Sequence, residues 1–143
     1  MKKLLSVTLL PLCAFSLWTS PANGDVLIIK NRACPELKLS RDDLRGLYLG
    51  TPKFVDGNLI KPIDLASGNP ARGLFIKKVL GTNEDLLNNQ WLIKIFSGKG
   101  EPPETAASEN EALNIIKDNR FAIGYVESRE LDSTFEVMHR IST

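Results

Sequence analysis

A turn of polar residues in the middle of the chain carries the groups best suited to bind an anion. It runs from Ser67 to Arg72 and lies between a strand-like segment and a helix-like segment. The first backbone N–H groups of a helix lack intrahelical partners, and the helix dipole adds about half a positive charge there. Ser67 and Asn69 supply a hydroxyl and an amide, and the Arg72 guanidinium offers a forked pair of donors. The turn is therefore a candidate site for a carboxylate or phosphate.

A simpler interpretation is that these residues only start a helix. Ser, Gly and Asn are common where a strand leads into a helix, and Pro70 suits the first helical position. Arg72 would then be a solvated surface charge. The local sequence leaves both interpretations open.

Groups for catalysis or metal binding are few. His139 is the only histidine, and no Ser or Cys nucleophile is paired with it in a recognisable motif. The motifs G-x-S-x-G, H-E-x-x-H and C-x-x-C are absent, and the glycines form no P-loop. We therefore expect no enzymatic activity, no metal site and no cofactor.

The first 24 residues have the pattern of a secretory signal peptide. Two lysines precede an uncharged apolar run over residues 4–18, and small residues follow it. Cleavage after Ala22 or after Gly24 fits this pattern. The apolar run is too short for a membrane-spanning helix, which needs about 20 residues. We therefore expect a periplasmic protein that is not inserted in the membrane once residues 1–24 are removed.

The remaining residues, 25–143, have the size of one domain. The leader takes two lysines and no acidic residue from 18 basic and 17 acidic residues, which leaves a net charge of about −1. Without an excess of positive charge, nucleic acid is not an expected partner. Cys34 is the one cysteine left, so it is either buried and inert or available for pairing between molecules.

Strand and helix patterns alternate along this domain. Apolar runs predict buried strands at 26–29 and 121–126, and alternating patterns predict strands at 59–65 and 135–141. Capping residues predict four helices, which begin near Ser40, Asn69, Thr82 and Ser108. This order predicts an α/β domain with a largely parallel sheet flanked by helices.

Three finer features of these elements are also predicted. Pro62 indicates that the strand at 59–65 lies at or near a sheet edge, because proline cannot donate to a ladder. Leu87, Trp91 and Ile95 recur every four residues and predict the buried face of the third helix. Segment 98–107 contains two consecutive prolines and is predicted to be a surface loop.

Five short motifs occur in one order along the domain. They are Leu39-Ser40-x-x-x-Leu44-x-x-Leu47-Tyr48-Leu49-Gly50, Asp56-Gly57-x-x-Ile60-x-Pro62, Arg72-x-x-Phe75, Gln90-Trp91-x-x-x-Ile95-Phe96-Ser97-Gly98-Lys99-Gly100-x-Pro102-Pro103 and Phe121-Ala122-Ile123-Gly124-Tyr125. Together they resemble the phosphate-binding substrate-binding proteins of ABC transporters, and most of all a short secreted branch of that superfamily.

This resemblance implies a fold, a ligand and partners. The fold is a single periplasmic-binding-protein-like lobe, whereas full-length relatives close two lobes over an oxyanion. The ligand is phosphate or a similar oxyanion, and the partner is an ABC transporter membrane complex or a second copy of the chain. The resemblance assigns ligand binding to the turn, namely to Ser67, Gly68, Asn69, Ala71 and Arg72.

A second hypothesis keeps the fold without the ligand. Aligned on Arg72 and Phe75, Pro70 and Ala71 stand where the family turn has a further N–H and a hydroxyl. A single lobe also supplies only part of the donor set, and each hydrogen bond to a charged group contributes about 1.5–3 kcal/mol. The alternative function is therefore a non-enzymatic interaction or accessory module.

Overall fold

The computed structural model describes residues 24–143, and almost all of the predicted signal peptide lies outside them. Strands and helices alternate along this part of the chain. The strands are β1 (Val26–Asn31), β2 (Phe54–Val55), β3 (Asn58–Leu59), β4 (Lys61–Leu65), β5 (Glu104–Ala106), β6 (Ala122–Glu127) and β7 (Phe135–Ile141). The helices are α1 (Arg41–Tyr48), α2 (Pro70–Phe75), α3 (Glu84–Phe96) and α4 (Glu109–Asp118), and a π-helical segment (Ile76–Leu80) continues α2.

Five of these strands form one sheet in the order β5-β4-β6-β1-β7, and β2 and β3 form a separate hairpin. β4 runs parallel to β5 and β6, whereas β1 runs antiparallel to β6 and β7. All strands of the sheet except β1 therefore point the same way. This confirms the predicted α/β class with a mostly parallel sheet, and it places the carboxyl ends of β4, β5 and β6 at one edge.

Helices cover both faces of the sheet, as two neighbouring residues of β6 show. Tyr125 stacks on Phe75 of α2, with ring centroids 4.1 Å apart. A Cβ added at Gly124 would lie 2.9 Å from the Cδ1 atom of Ile116 in α4. Successive strand residues point to opposite faces, so α2 and α4 lie on opposite sides. Tyr48 of α1 joins the α2 side, 4.7 Å from the Phe75 ring.

The close approach at Gly124 leads to a stability prediction. We expect Gly124→Ala to lower the free energy of unfolding by about 1–3 kcal/mol, because an extra methyl group overpacks a filled core. Ile116 is fully buried and has little room to move away. Urea denaturation measures the effect.

Gly73→Ala is the matched control for this substitution. A Cβ at Gly73 meets nothing within 4 Å, and the residue lies inside α2. Alanine favours a helix over glycine by about 1 kcal/mol, so this variant should be neutral or stabilised. Equal losses in the two variants would show that the close contact at Gly124 is not the cause.

Pro62 lies in β4, the strand next to the edge strand β5, so its predicted position at or near a sheet edge is confirmed. β4 is bordered by β5 on one side and β6 on the other. Lys61 N–H donates to the Phe121 carbonyl on the β6 side, so the Pro62 nitrogen faces the β5 side. Because β5 pairs with β4 only from Ile63 onward, the proline removes no hydrogen bond from the ladder.

The predictions for helix starts are largely confirmed. Ser40 and Asp43 form a reciprocal capping box at α1, and Asn83 and Ser108 cap α3 and α4 with their side chains. Trp91 is buried as predicted, but Ile95 is exposed and that part of the predicted face is wrong. The predicted loop at 98–107 contains β5, a short strand that is ordered by its pairing with β4.

Candidate functional site

The predicted turn lies at the carboxyl end of β4, where α2 begins. Gly68 has a φ of +87°, a conformation that favours glycine. Asn69 caps the helix, and its side-chain oxygen accepts a hydrogen bond from the Ala71 N–H at 2.8 Å. Pro70 occupies the first helical position. The cap therefore uses the Ala71 N–H that the sequence had assigned to a ligand.

Arg72 is buried, with 7% of its surface exposed. Its Nε atom lies 3.4 Å from Oδ2 of Asp64 near the end of β4, and its Nη1 atom pairs with Oε1 of Glu84 at the start of α3. The Nε atom has no hydrogen-bond partner of good geometry. The interpretation of Arg72 as a solvated surface charge is therefore wrong.

A carboxylate from α3 occupies the side-chain donors of the turn. Glu84 Oε1 accepts hydrogen bonds from Ser67 Oγ and from Arg72 Nη1. Its side chain is 38% exposed, so the carboxylate approaches the turn from the solvent side. Arg72, Asp64 and Glu84 together carry a net charge of −1. The turn thus binds an oxyanion group that belongs to the chain itself.

Two hydrogen bonds to its carboxylate hold the side chain of Asp64 in place. Tyr125 donates its hydroxyl to Asp64 Oδ1, and the Leu65 N–H donates to the same oxygen at 2.9 Å. Tyr48 donates to the Ile63 carbonyl at 2.8 Å. Burial, together with the nearby Asp64 charge, raises the pKa of both tyrosines. Both hydroxyls therefore stay protonated and hold the end of β4 in place.

The N-terminus of α4 lies beside the turn because β5, which precedes α4, pairs with β4. An open cleft of about 320 Å³ separates the two helix starts. Its one arginine, Arg129, pairs with Glu109 at 2.6 Å. The cleft is lined by Asn69, Pro70, Ser108, Glu109, Asn110, Glu127 and Arg129. Arg129, like Arg72, is therefore already paired with a carboxylate of the chain.

A larger cavity, of about 750 Å³, lies at the other end of the sheet beside β1 and β7. Cys34 and His139 both line it. Cys34 is a free, buried thiol, and burial raises its pKa. The Nε2–H of His139 donates to the Leu39 carbonyl. A buried neutral thiol and an imidazole whose Nε2–H is already bonded do not form an activated nucleophile pair.

Two solved structures resemble the chain in fold. An ABC-type phosphate transport receptor from Vibrio cholerae matches with a TM-score of 0.60 and 18% identity, over 80% of this chain and 45% of that chain. A putative phosphate ABC transporter substrate-binding protein with bound phosphate, from Clostridium perfringens, matches with a TM-score of 0.60 and 15% identity, over 80% and 44%.

The chain shares their fold. This likeness to phosphate receptors confirms the structural resemblance that the sequence motifs indicated. The chain spans less than half the length of either structure. No protein-family model and no curated protein matches the sequence. Within residues 24–143, none of the helices has the length and apolar character needed to cross a membrane.

The structure thus brings the predicted residues together at the start of α2 and adds two acidic residues to them. Asp64 precedes the turn and offered no distinguishing signal among the aspartates of the sequence. Glu84 is an acidic residue in the first turn of a helix, which is common because it suits the helix dipole. Its contact with a turn 12 to 17 residues earlier depends on tertiary packing.

Proposed function

We propose that this protein is a non-enzymatic binding protein of the phosphate-receptor type, whose turn from Ser67 to Arg72 takes phosphate or a similar oxyanion in competition with Glu84. The observation that carries the proposal is the carboxylate held by the Ser67 hydroxyl and the Arg72 guanidinium. Carboxylate and phosphate oxygens accept charge-assisted hydrogen bonds from the same donors. The Clostridium perfringens neighbour was solved with bound phosphate.

In this proposal the five residues of the turn have different roles. Ser67 and Arg72 contact the anion, and Gly68 gives the turn its left-handed conformation. The N–H groups of Asn69 and Ala71 donate to the Ala66 carbonyl and the Asn69 side chain. Asn69 and Ala71 therefore fix the start of α2 and hold Ser67 and Arg72 at the anion.

Glu84 should make the site weak in the native chain. An incoming anion must displace a carboxylate that is held by hydrogen bonds to a charged group, each worth about 1.5–3 kcal/mol. It also enters a cluster whose net charge is already −1. A micromolar site needs about 8 kcal/mol of binding free energy, so millimolar affinity is the expectation.

Location and partner belong to the same proposal. The pattern of residues 1–24 supports export to the periplasm. Both neighbours are described as phosphate transport proteins of the ABC type. This supports the proposal that the chain acts together with an ABC transporter membrane complex.

Removal of the competing carboxylate tests the proposal. We expect Glu84→Ala to bind phosphate at least about tenfold more tightly than the unmodified protein, because no internal hydrogen bonds must be broken. The measurement is isothermal titration of both proteins with phosphate at neutral pH, after exhaustive dialysis. Sulfate titrations of the same samples show which oxyanion the turn prefers.

Two variants serve as controls for the titration. Asp85→Ala removes the neighbouring acidic residue, which is exposed and makes no ion pair within residues 24–143, so it should leave the affinity unchanged. Adding Ser67→Ala to Glu84→Ala should lose most of the gain. If Glu84→Ala shows no phosphate-dependent heat into the millimolar range, the turn is not an oxyanion site.

That failure would favour the second candidate, an interaction module that keeps the fold without the ligand. A specific feature supports this candidate as well. The outer face of α3 exposes several large apolar side chains, an arrangement that is typical of surfaces that bind other molecules.

A further inference from the structure

Helix α3 is apolar on both sides, although only one side packs on the domain. Leu87 and Trp91 are buried against the rest of the lobe. On the outer surface, Ile93 and Phe96 are 69% and 87% exposed. Several large apolar side chains exposed side by side are uncommon on a monomer unless they form part of a contact surface.

The exposed residues lie in one stripe along the helix. Leu86, Asn89, Ile93 and Phe96 recur at intervals of three and four residues, which places them on one helical face. Leu92 flanks the stripe and is half exposed. The stripe is about 15 Å long at 1.5 Å per residue, and one polar side chain interrupts it.

The charged residues near the two ends of α3 indicate which partner binds to this stripe. Asp85 lies in the first turn, and Lys99 lies just beyond the last residue of the helix. Both are exposed, and neither forms an ion pair within the described part of the chain. A helix with an acidic start, an apolar middle and a basic end is complementary to itself when reversed.

We propose that two copies of this chain associate through α3, with the two helices antiparallel. In the register that matches the stripes, Leu86 of one copy faces Phe96 of the second copy, and Asn89 faces Ile93. Asp85 then lies opposite Ser97 of the second copy, two residues before Lys99, and the two-fold axis repeats this approach of opposite charges. The opposed helix dipoles also favour this arrangement.

The area buried between the two helices limits the affinity of the dimer. A standard stable interface buries about 800 Å² per partner, and a single helix face provides less than that. The pair should therefore form with micromolar affinity and dissociate on dilution. This association is independent of anion binding at the turn, since it uses the opposite side of α3 from Leu87 and Trp91.

Sedimentation equilibrium of the purified protein across the micromolar range tests the proposal. The unmodified protein should pass from monomer to dimer as its concentration rises. Phe96→Lys should weaken dimerisation at least about tenfold, because a charge replaces the largest apolar contact. Ile93→Lys should do the same, and circular dichroism checks that both variants remain folded.

A charge-exchange series tests the antiparallel register. Asp85→Lys alone and Lys99→Glu alone should each weaken the dimer by about two- to fivefold, and the double variant should restore it. Phe54→Lys, at an exposed apolar residue of the β2–β3 hairpin, is the control and should leave dimerisation unchanged. A protein that stays monomeric at several hundred micromolar overturns the proposal, and so does a dimer that is indifferent to Phe96→Lys. Failure of the double variant to restore association would overturn the antiparallel register.

Discussion

Replacement of Arg72 by methionine is expected to lower the free energy of unfolding by about 3–5 kcal/mol, because it leaves a buried carboxylate without its cation. The side chain of Asp64 is only 14% exposed and lies 3.4 Å from the Arg72 Nε atom. Glu84 is more exposed, so the loss of its ion pair with Arg72 contributes less to the change in the free energy of unfolding. Urea denaturation followed by circular dichroism measures the change.

The cause of that loss can be separated from the loss of packing. Adding Asp64→Asn and Glu84→Gln to Arg72→Met removes the unpaired charges and should restore much of the stability. Arg140→Met is the matched control, since Arg140 is exposed and pairs with Asp25 at the surface. It should cost no more than about 1 kcal/mol. Equal losses for the two arginines would contradict a buried role for Arg72.

Because Arg72 is needed for stability, it is a poor first choice for testing ligand binding. A variant that loses both binding and stability cannot separate the two causes. Glu84 is the better choice because its side chain is partly exposed and Asn83, not Glu84, caps α3.

Phe75→Ala is expected to lower the free energy of unfolding by about 3–5 kcal/mol. Phe75 is fully buried, stacked on Tyr125 and packed edge-on against Tyr48. Its removal leaves a cavity among rings that hold the hydroxyl donors of Tyr48 and Tyr125 in place. The same urea measurement checks it, and a shift of the tyrosine near-ultraviolet circular dichroism should accompany the loss.

Phe54→Ala is the control for the aromatic cluster. Phe54 is 62% exposed on the β2–β3 hairpin, so its truncation should change stability by no more than about 0.5 kcal/mol. If Phe75→Ala proved as mild as this control, the ring stack would not be part of the stabilising core.

The sequence was sufficient to predict most of the helices and strands that position the site. Capping side chains at Ser40, Asn69 and Ser108 fixed the helix starts, because each satisfies local N–H groups. Continuous apolar runs predicted β1 and β6, which are buried on both faces. These signals are local, so a pattern of neighbouring residues is enough to find them.

Features that depend on distant pairing were not predicted. β5 is too short to carry a pattern of its own and is ordered by β4. Pro62 indicated that β4 lies at or near a sheet edge, but not that β5 covers that edge from Ile63 onward. Ile95 was assigned to the buried face of α3 because it continues the spacing of Leu87 and Trp91, and that spacing does not reveal where the domain stops covering the helix.

The candidate site, too, was predictable from the sequence only in part. Its turn was recognisable from Ser67, Asn69, Pro70 and Arg72, because residue type and order predict a helix start with anion donors. The occupation of those donors by Glu84 was not predictable, because it depends on where α3 begins in space. The helix-start hypothesis holds for Asn69 and Pro70, which begin α2, whereas the oxyanion site stays a proposal.

The most direct test of competition between phosphate and Glu84 is carbon NMR of the Glu84 side-chain carboxylate in the unmodified protein during a phosphate titration. As phosphate displaces the carboxylate, the Glu84 Cδ signal should move in a saturable way toward that of a solvent-exposed glutamate. The midpoint should lie in the millimolar range, and the guanidinium signals of Arg72 should shift with the same midpoint. A Glu84 signal that stays fixed up to tens of millimolar phosphate would contradict competition at the turn.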